Sequence, residues 1–481
     1  MVFSSIVFLF YFLPAFLFLY LFLPPLRSCV IVFGSFVFYA WGEPAYILLL
    51  AAVILMNWIF GLWLEKTAYP RLVLVFGVAG NLSLLVWFKY LGFLCTQIDR
   101  LLTVVGVAPL GVPMVPLPLG VSFFTFQAIS YLIDIHRGEV AAQPSLLKFA
   151  MYKTMFPQLI AGPIVRYREI AAEIDNRTVS IARWRRGIEI FVLGLAQKVL
   201  IANPVSLPVD QIFALPAPQL MTATAWFGSI GYMVQIFFDF SGYTTMAIGL
   251  GHMMGFTLPR NFDRPYTAQS VTDFWRRWHI TLSRWFRDYL YIPLGGNRRG
   301  ELRTYLNLLT VFVLCGLWHG ASWTFALWGL YHGCFLIIER VAPAGMARHI
   351  WRPLRHLYLL LVVLVGWVLF RSDTLDGALS MLRAMAGFGS VDPAALPLAR
   401  FATPTAVSAM VAAAVLVAGS ALIGWWAAFG RSVADIAGAS ARPSVVATVD
   451  GVRAASVLLL LVLSGLVLSA ETYNPFIYFR F

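Results

Sequence analysis

Charge is what this chain has least of. Asp, Glu, Lys and Arg make up 12% of its 481 residues, against ~25% in ordinary soluble domains. That figure excludes a set of water-soluble domains, although the length alone would suggest about three. Cysteine is scarce as well. Cys29, Cys95, Cys315 and Cys334 form no CxxC pair, and each lies in or beside an apolar stretch. They read as small hydrophobes in helices, with no disulfide framework. The chain has no HExxH, no P-loop and no GxSxG. No metal site is expected, and neither a phosphate-cradling loop nor a nucleophile elbow is available. Nothing matches a nucleic-acid module, so no nucleic-acid partner is expected. The opening MVFSSIVFLFYFLPAFLFLYLFLPP lacks a basic n-region and an A-x-A site, and reads as a retained first transmembrane helix.

What is present is apolar. Hydrophobic residues make up 60% of the chain, which predicts an all-α, polytopic integral membrane protein in one domain, 1–481. Candidate spans are Ile6–Leu23, Ser28–Trp41, Pro44–Leu64, Leu72–Leu94, Leu119–Ile135, Leu146–Ile160, Ile188–Ile201, Thr222–Phe240 running on toward Phe256, Tyr305–Leu317, Ala321–Ile338, Leu357–Phe370, Thr405–Trp426 and Ala455–Leu468. That is roughly thirteen helices, some too short to cross. The formal net charge of +13 sits in short loops between these runs, as the positive-inside rule expects. Arg27, Lys66 and Arg71 fall in the first and third loops and none in the second, which places the N-terminus outside. Arg166, Arg168, Arg183, Arg185 and Arg186, then Arg298, Arg299 and Arg303, then Arg340, Arg348, Arg352 and Arg355 mark further cytoplasmic segments. Residues 371–403 read as a polar loop with a short helix.

One helix does not look like a span. In SVTDFWRRWHITLSRWFRDYLYIPLGGNRRG, Ser270 and Asp273 resemble a capping box with Asp in place of Glu. At 100° per residue, Trp275, Trp278, Leu282, Trp285, Phe286 and Tyr289 share one face. Arg276, Arg277, Arg284 and Arg287 share the other, and Pro293 with Gly295 and Gly296 ends the run. The expectation is an interfacial amphipathic helix over 270–292 with its arginines toward the cytoplasm. His279 lies at the edge of the aromatic face and points inward. The sequence leaves two readings open for it: a satisfied anchor residue or a functional one.

GLWHGASWTFALWGLYHG, at 316–333, places His319 and His332 in an almost wholly apolar stretch. An ionisable side chain inside a membrane needs a partner or a task. Tyr305–Leu317 is about 13 residues, or about 20 Å of helix, short of a ~30 Å core, so His319 should lie within the membrane. Gly316 and Gly320 form a GxxxG pair that admits close approach and leaves room for a ligand. An imidazole there suits proton transfer near neutral pH, with a helix-packing histidine as the alternative. His332, thirteen residues on, would be about 20 Å away on a continuous helix and reads as packing. His136, His252, His349 and His356 sit near helix ends and read as interfacial.

Those two histidine stretches, with MVFSSIVFLFYFLP, MFPQLIAGPIVRY at 155–167, QIFFDFSGYTTMAIGLGHMMGFTLPRNFDRPY at 235–266 and the ending YNPFIYFRF, make the whole chain resemble the membrane-bound O-acyltransferases. It is most similar to their bacterial alginate O-acetyltransferase branch. The resemblance implies a ring of about 11–13 tilted transmembrane helices with short interfacial or re-entrant ones, and a central histidine between two funnels. It implies that His319, in the WHG motif on a helical hairpin over 303–338, is the catalytic residue, and that His279, in FWRRWH, is the second polar residue. The implied activity moves acetyl groups from a cytoplasmic donor, acetyl-CoA, across a bacterial inner membrane to an exopolysaccharide, alginate first. Cellulose, another cell-surface glycan and peptidoglycan are alternative acceptors. Arg276, Arg277, Arg284 and Arg287 are candidates to hold donor phosphates. No cofactor is expected to reside in the protein; acetyl-CoA would be a substrate. Expected partners are membrane lipid and a periplasmic SGNH-type acetyltransferase. His319 is either a general base or a transiently acylated nucleophile. Two other classes compete. Glu43, Asp134, Glu189 and Asp239 in apolar context would suit a transporter, although no inverted repeat is visible, and a scaffold subunit of a secretion complex needs neither histidine.

Overall fold

The computed structural model describes residues 1–111, 115–343, 349–389, 392, 395–419, 443–470 and 473–475. Among them there is no strand; the molecule is built of helices. Six are long and apolar enough to cross a membrane: Pro24–Gly42, Pro44–Lys66, Pro70–Val104, Ile181–Phe213, Arg352–Arg371 and Gly451–Ala470. Phe8–Phe22 and Pro404–Gly419 are shorter apolar helices. The protein is therefore a multi-pass membrane protein. Its outer surface is apolar, as lipid requires: Phe10, Phe18, Phe22, Phe33, Leu48 and Val75 are all exposed. Of the expected features, Arg348, the end of Thr405–Trp426, four residues of the 371–403 loop and the last six of YNPFIYFRF lie outside the described residues. Within that loop the structure forms a helix, Leu375–Met385, and a short turn, Leu398–Arg400.

Six elements carry the argument: α1, Thr222–Met254; α2, Val271–Arg277; α3, Ile280–Phe286; α4, Glu301–His319; α5, Trp323–Val341; and α6, Arg352–Arg371. Without a hydrophobic effect between helices in lipid, close backbone packing holds such bundles together. Gly194 and Gly242 make the contact between Ile181–Ala196 and α1. A Cβ on Gly194 would stand 2.6 Å from the Gly242 carbonyl oxygen and 2.6 Å from the Met246 nitrogen. Buried amides add polar cross-links. Asn57 Nδ2 donates to Asn81 Oδ1 at 3.0 Å and Asn81 Nδ2 to Asn57 Oδ1 at 2.8 Å.

The expected continuous helix over 270–292 is not formed. It breaks at Trp278–His279 into α2 and α3, because His279 takes a left-handed backbone, φ 44°. The two-faced pattern survives the break. Trp275, Trp278, Leu282, Trp285, Phe286 and Tyr289 are buried, while Arg276, Arg284 and Arg287 are exposed and Arg277 is half-buried. Ser270 Oγ accepts from the Asp273 nitrogen as a cap should, at 3.0 Å. The Asp273 carboxylate turns instead to Arg277 Nε, at 2.9 Å. The apolar run before His319 is also longer than it reads. Glu301–Arg303 are helical, giving 19 residues, or about 28 Å. His319 is buried by the neighbours around that helix end, not by a short helix.

Gly194→Val should destabilise the fold by about 1–3 kcal/mol, since its methyls meet backbone that cannot yield. Thermal unfolding in detergent would check this; a wild-type midpoint would contradict the glycine contact.

Candidate active site

α4 stops at His319, and the chain turns through Gly320–Ser322 into α5. The turn folds α5 back along α4, so His319 and His332 are not on one continuous helix. Gly316 and Gly329 make the hairpin possible. A Cβ on Gly316 would overlap the Phe325 carbonyl, and one on Gly329 the Phe312 carbonyl. The space beside Gly316 is therefore filled by the partner helix, and the space beside Gly320 by the Phe325 ring. The GxxxG pair serves close packing.

A helix that ends in a protein interior leaves its last carbonyls without partners. Here they are met by two adjacent side chains from an apolar run, LLVWFKYLGFL. Tyr90 Oη donates to the Leu317 carbonyl at 2.9 Å. Lys89 Nζ donates to the Trp318 carbonyl at 2.5 Å and to the His319 carbonyl at 3.0 Å. A cation at a helix C-terminus also suits the dipole. Both residues went unremarked in the sequence; the available signal was a lysine inside a stretch long enough to span.

His279 meets His319 here, with ring centroids 6.3 Å apart. The two rings are tilted at 58° to each other. His319 is edge-on to Trp318 at 4.9 Å, Phe370 at 5.1 Å and Trp328 at 5.4 Å. Its Nδ1 is buried and has no hydrogen-bond partner. His279 packs against Phe240 at 4.7 Å.

The strained backbone of His279 is held by Asn261, another residue unremarked in the sequence. Asn261 Oδ1 stands 3.0 Å from His279 Nδ1, 2.9 Å from Thr281 Oγ1 and 3.3 Å from the Thr281 nitrogen. The Ile280 nitrogen donates to the Asn261 carbonyl at 2.9 Å. The Thr281 N–H can only donate, which fixes Oδ1 as the acceptor. His279 Nδ1 must then carry the proton, and neutral His279 presents Nε2 as an acceptor. A left-handed non-glycine residue kept by surrounding bonds is common at functional sites.

Glu339, at the end of α5, caps α2: its carboxylate accepts from the Val271 nitrogen at 2.6 Å and the Thr272 nitrogen at 2.9 Å. The helix before His279 and the helix after His319 are thus tied together. His332 lies elsewhere, edge-on to Trp275 at 5.1 Å and Trp328 at 5.2 Å, with neither ring nitrogen partnered. His356 Nδ1 bonds the Ala268 carbonyl at 3.0 Å.

Two adjoining cavities open beside the α4–α5 turn, of about 300 and 810 Å³. They share Lys89, Leu117, Ala321, Ser322, Thr324 and Asp373. Gly320 and Phe370, both in contact with His319 or next to it in the chain, line the smaller one. None of the four candidate donor-binding arginines lines either. Arg277 pairs with Asp273 at 2.9 Å and Arg287 with Asp288 at 2.6 Å. Arg276 and Arg284 make no ion pair among the described residues. Burial pushes the Asp288 carboxyl up, but Arg287 and Arg166 outweigh it and hold it below its ordinary value. Among the described residues no group of His, Cys, Asp or Glu could hold a metal ion.

Lys89→Met would orphan two buried carbonyls at about 1–3 kcal/mol each. A lowered unfolding midpoint is expected, partly restored by Lys89→Arg; an unchanged midpoint in both would remove Lys89 as the cap.

Residues 115–375 match the family described as MBOAT, membrane-bound O-acyltransferase. The chain is 41% identical to the probable alginate O-acetylase AlgI of Azotobacter vinelandii and 40% identical to that of Pseudomonas putida, over 100% of both chains each time. It is 37% identical to the peptidoglycan O-acetyltransferase of Helicobacter pylori, over 81% of each. With two histidines facing each other where the FWRRWH and WHG segments meet, the chain belongs to the membrane-bound O-acyltransferase family and is an O-acyltransferase.

Proposed function

We propose that the protein transfers acetyl groups across a bacterial inner membrane for O-acetylation of an exopolysaccharide, alginate first, with acetyl-CoA as the cytoplasmic donor. The observation that carries this reading is the facing pair His279 and His319, beside a cavity on the side of α4 opposite its arginine-rich start. Relatives named for alginate and for peptidoglycan acetylation support a glycan as the acceptor class. A periplasmic SGNH-type acetyltransferase is the partner we assign to the last transfer.

In the proposed reaction the acetyl carbonyl carbon is attacked by an acceptor hydroxyl. A C–O bond forms and the thioester C–S bond breaks. His319 takes the hydroxyl proton and returns it to the leaving thiolate, so no net proton is lost. His279 is held by Asn261 and orients the hydroxyl through Nε2. Excluding water around the pair strengthens each of these interactions. On the opposite face Arg276 and Arg284 are the two arginines left for donor phosphates, since Arg277 and Arg287 are engaged by aspartates.

Polymer acetylation, normalised to membrane abundance, should fall at least ~100-fold in His319→Ala and His279→Ala, and persist in His332→Ala. Acetylation that survives His319→Ala would favour the transporter or scaffold class. Replacing Arg276 and Arg284 together with Gln should raise the donor KM about tenfold with kcat kept, as loss of charge-assisted bonds made equally in ground and transition states. An unchanged donor KM would move the donor site elsewhere.

A further inference from the structure

Gln235 and Asp239 stand one turn apart on the same face of α1. Asp239 is engaged: Lys198 Nζ lies 2.6 Å from its Oδ1. Gln235 is 6% exposed, and its Oε1 is sealed from solvent without a hydrogen-bond partner. An unmade bond of this kind is uncommon in a native interior and calls for a reason. Gln235 lines the 300 Å³ cavity, whose wall also includes Gly320 and Phe370 beside His319. Three other polar groups of that wall are already engaged. Lys89 holds the end of α4, Arg371 pairs with Asp210 at 2.8 Å, and Ser322 Oγ lies 2.7 Å from Thr324 Oγ1.

We propose that Gln235 binds the acceptor, holding its hydroxyl next to His319. A carboxamide offers one acceptor and two donors and carries no charge. It therefore matches a hydroxyl, which both donates and accepts, and gives no selection for a carboxylate or phosphate. With the hydroxyl held at Gln235, acetyl passes to it in preference to water. This inference rests on the acyl-transfer reading above.

The test uses the full-length protein in nanodiscs, with acetyl-CoA as donor and glycerol as the hydroxyl probe. The readouts are released CoA and the ratio of acetylglycerol to acetate. That ratio does not depend on how much protein is folded. Gln235→Leu should lower it about fivefold, the worth of one neutral hydrogen bond. Gln235→Glu, which keeps an acceptor oxygen, should stay within about twofold of wild type. A wild-type ratio in Gln235→Leu overturns the inference and leaves the acyl-transfer reading standing. So does acetate as the sole product of the wild type. CoA release that persists in His319→Ala overturns the acyl-transfer reading itself, and this inference with it.

Discussion

Three carbonyls at the end of one helix govern this structure. Residues 317–319 close α4 inside the protein, where no bulk water can take their lone pairs. Unmet, they would either fray the last turn, which carries His319, or forbid burying it. Lys89 and Tyr90 meet all three. The lysine bends to this task from a lipid-facing helix, through a widened turn at Val86–Tyr90. The same ammonium lines both cavities, so the cap of the helix and the wall of the site are one group.

The second histidine is placed by the opposite device. α4 positions His319 by ending; the 270–292 run positions His279 by breaking. The break puts His279 in a backbone region that costs about 1–2 kcal/mol for a non-glycine residue. Asn261 offsets that cost through one side-chain oxygen and one carbonyl shared among His279, Ile280 and Thr281. Glu339 then ties the start of α2 to the end of α5. The distance between the imidazoles is therefore set by polar contacts at the rim and by aromatic packing at the centre. Neither depends on a single helix being straight.

Charge is distributed to match. None of Arg276, Arg277, Arg284 and Arg287 lines the two cavities beside the α4–α5 turn. Among the charges buried in the fold, Lys198 is matched with Asp239, Arg371 with Asp210 and Arg166 with Asp288. In a low-dielectric interior, matched pairs hold their neighbours firmly and an unmatched polar group is costly. His319 Nδ1 and Gln235 Oε1 are unmatched groups of this kind.

Composition was enough to make the chain a multi-pass helical membrane protein, since an apolar fraction this high has no other stable form in water or lipid. The motifs around His279 and His319 were enough to identify the family. Periodicity gave the two faces of the 270–292 run correctly, because burial of Trp275, Trp278 and Trp285 depends on local spacing. What periodicity could not show was the break within it, since the bonds that stabilise His279 come from Asn261, a residue distant along the chain. For the same reason the roles of Lys89, Tyr90 and Glu339 were invisible: each acts on backbone groups of another element, and hydrogen-bond partners across a fold leave no spacing signature. The glycines of the WHG stretch were legible as close-packing residues, but what packs against them was not. Only the folded hairpin decided that Phe325 and the partner helix fill that space, and that the cavity lies past the turn.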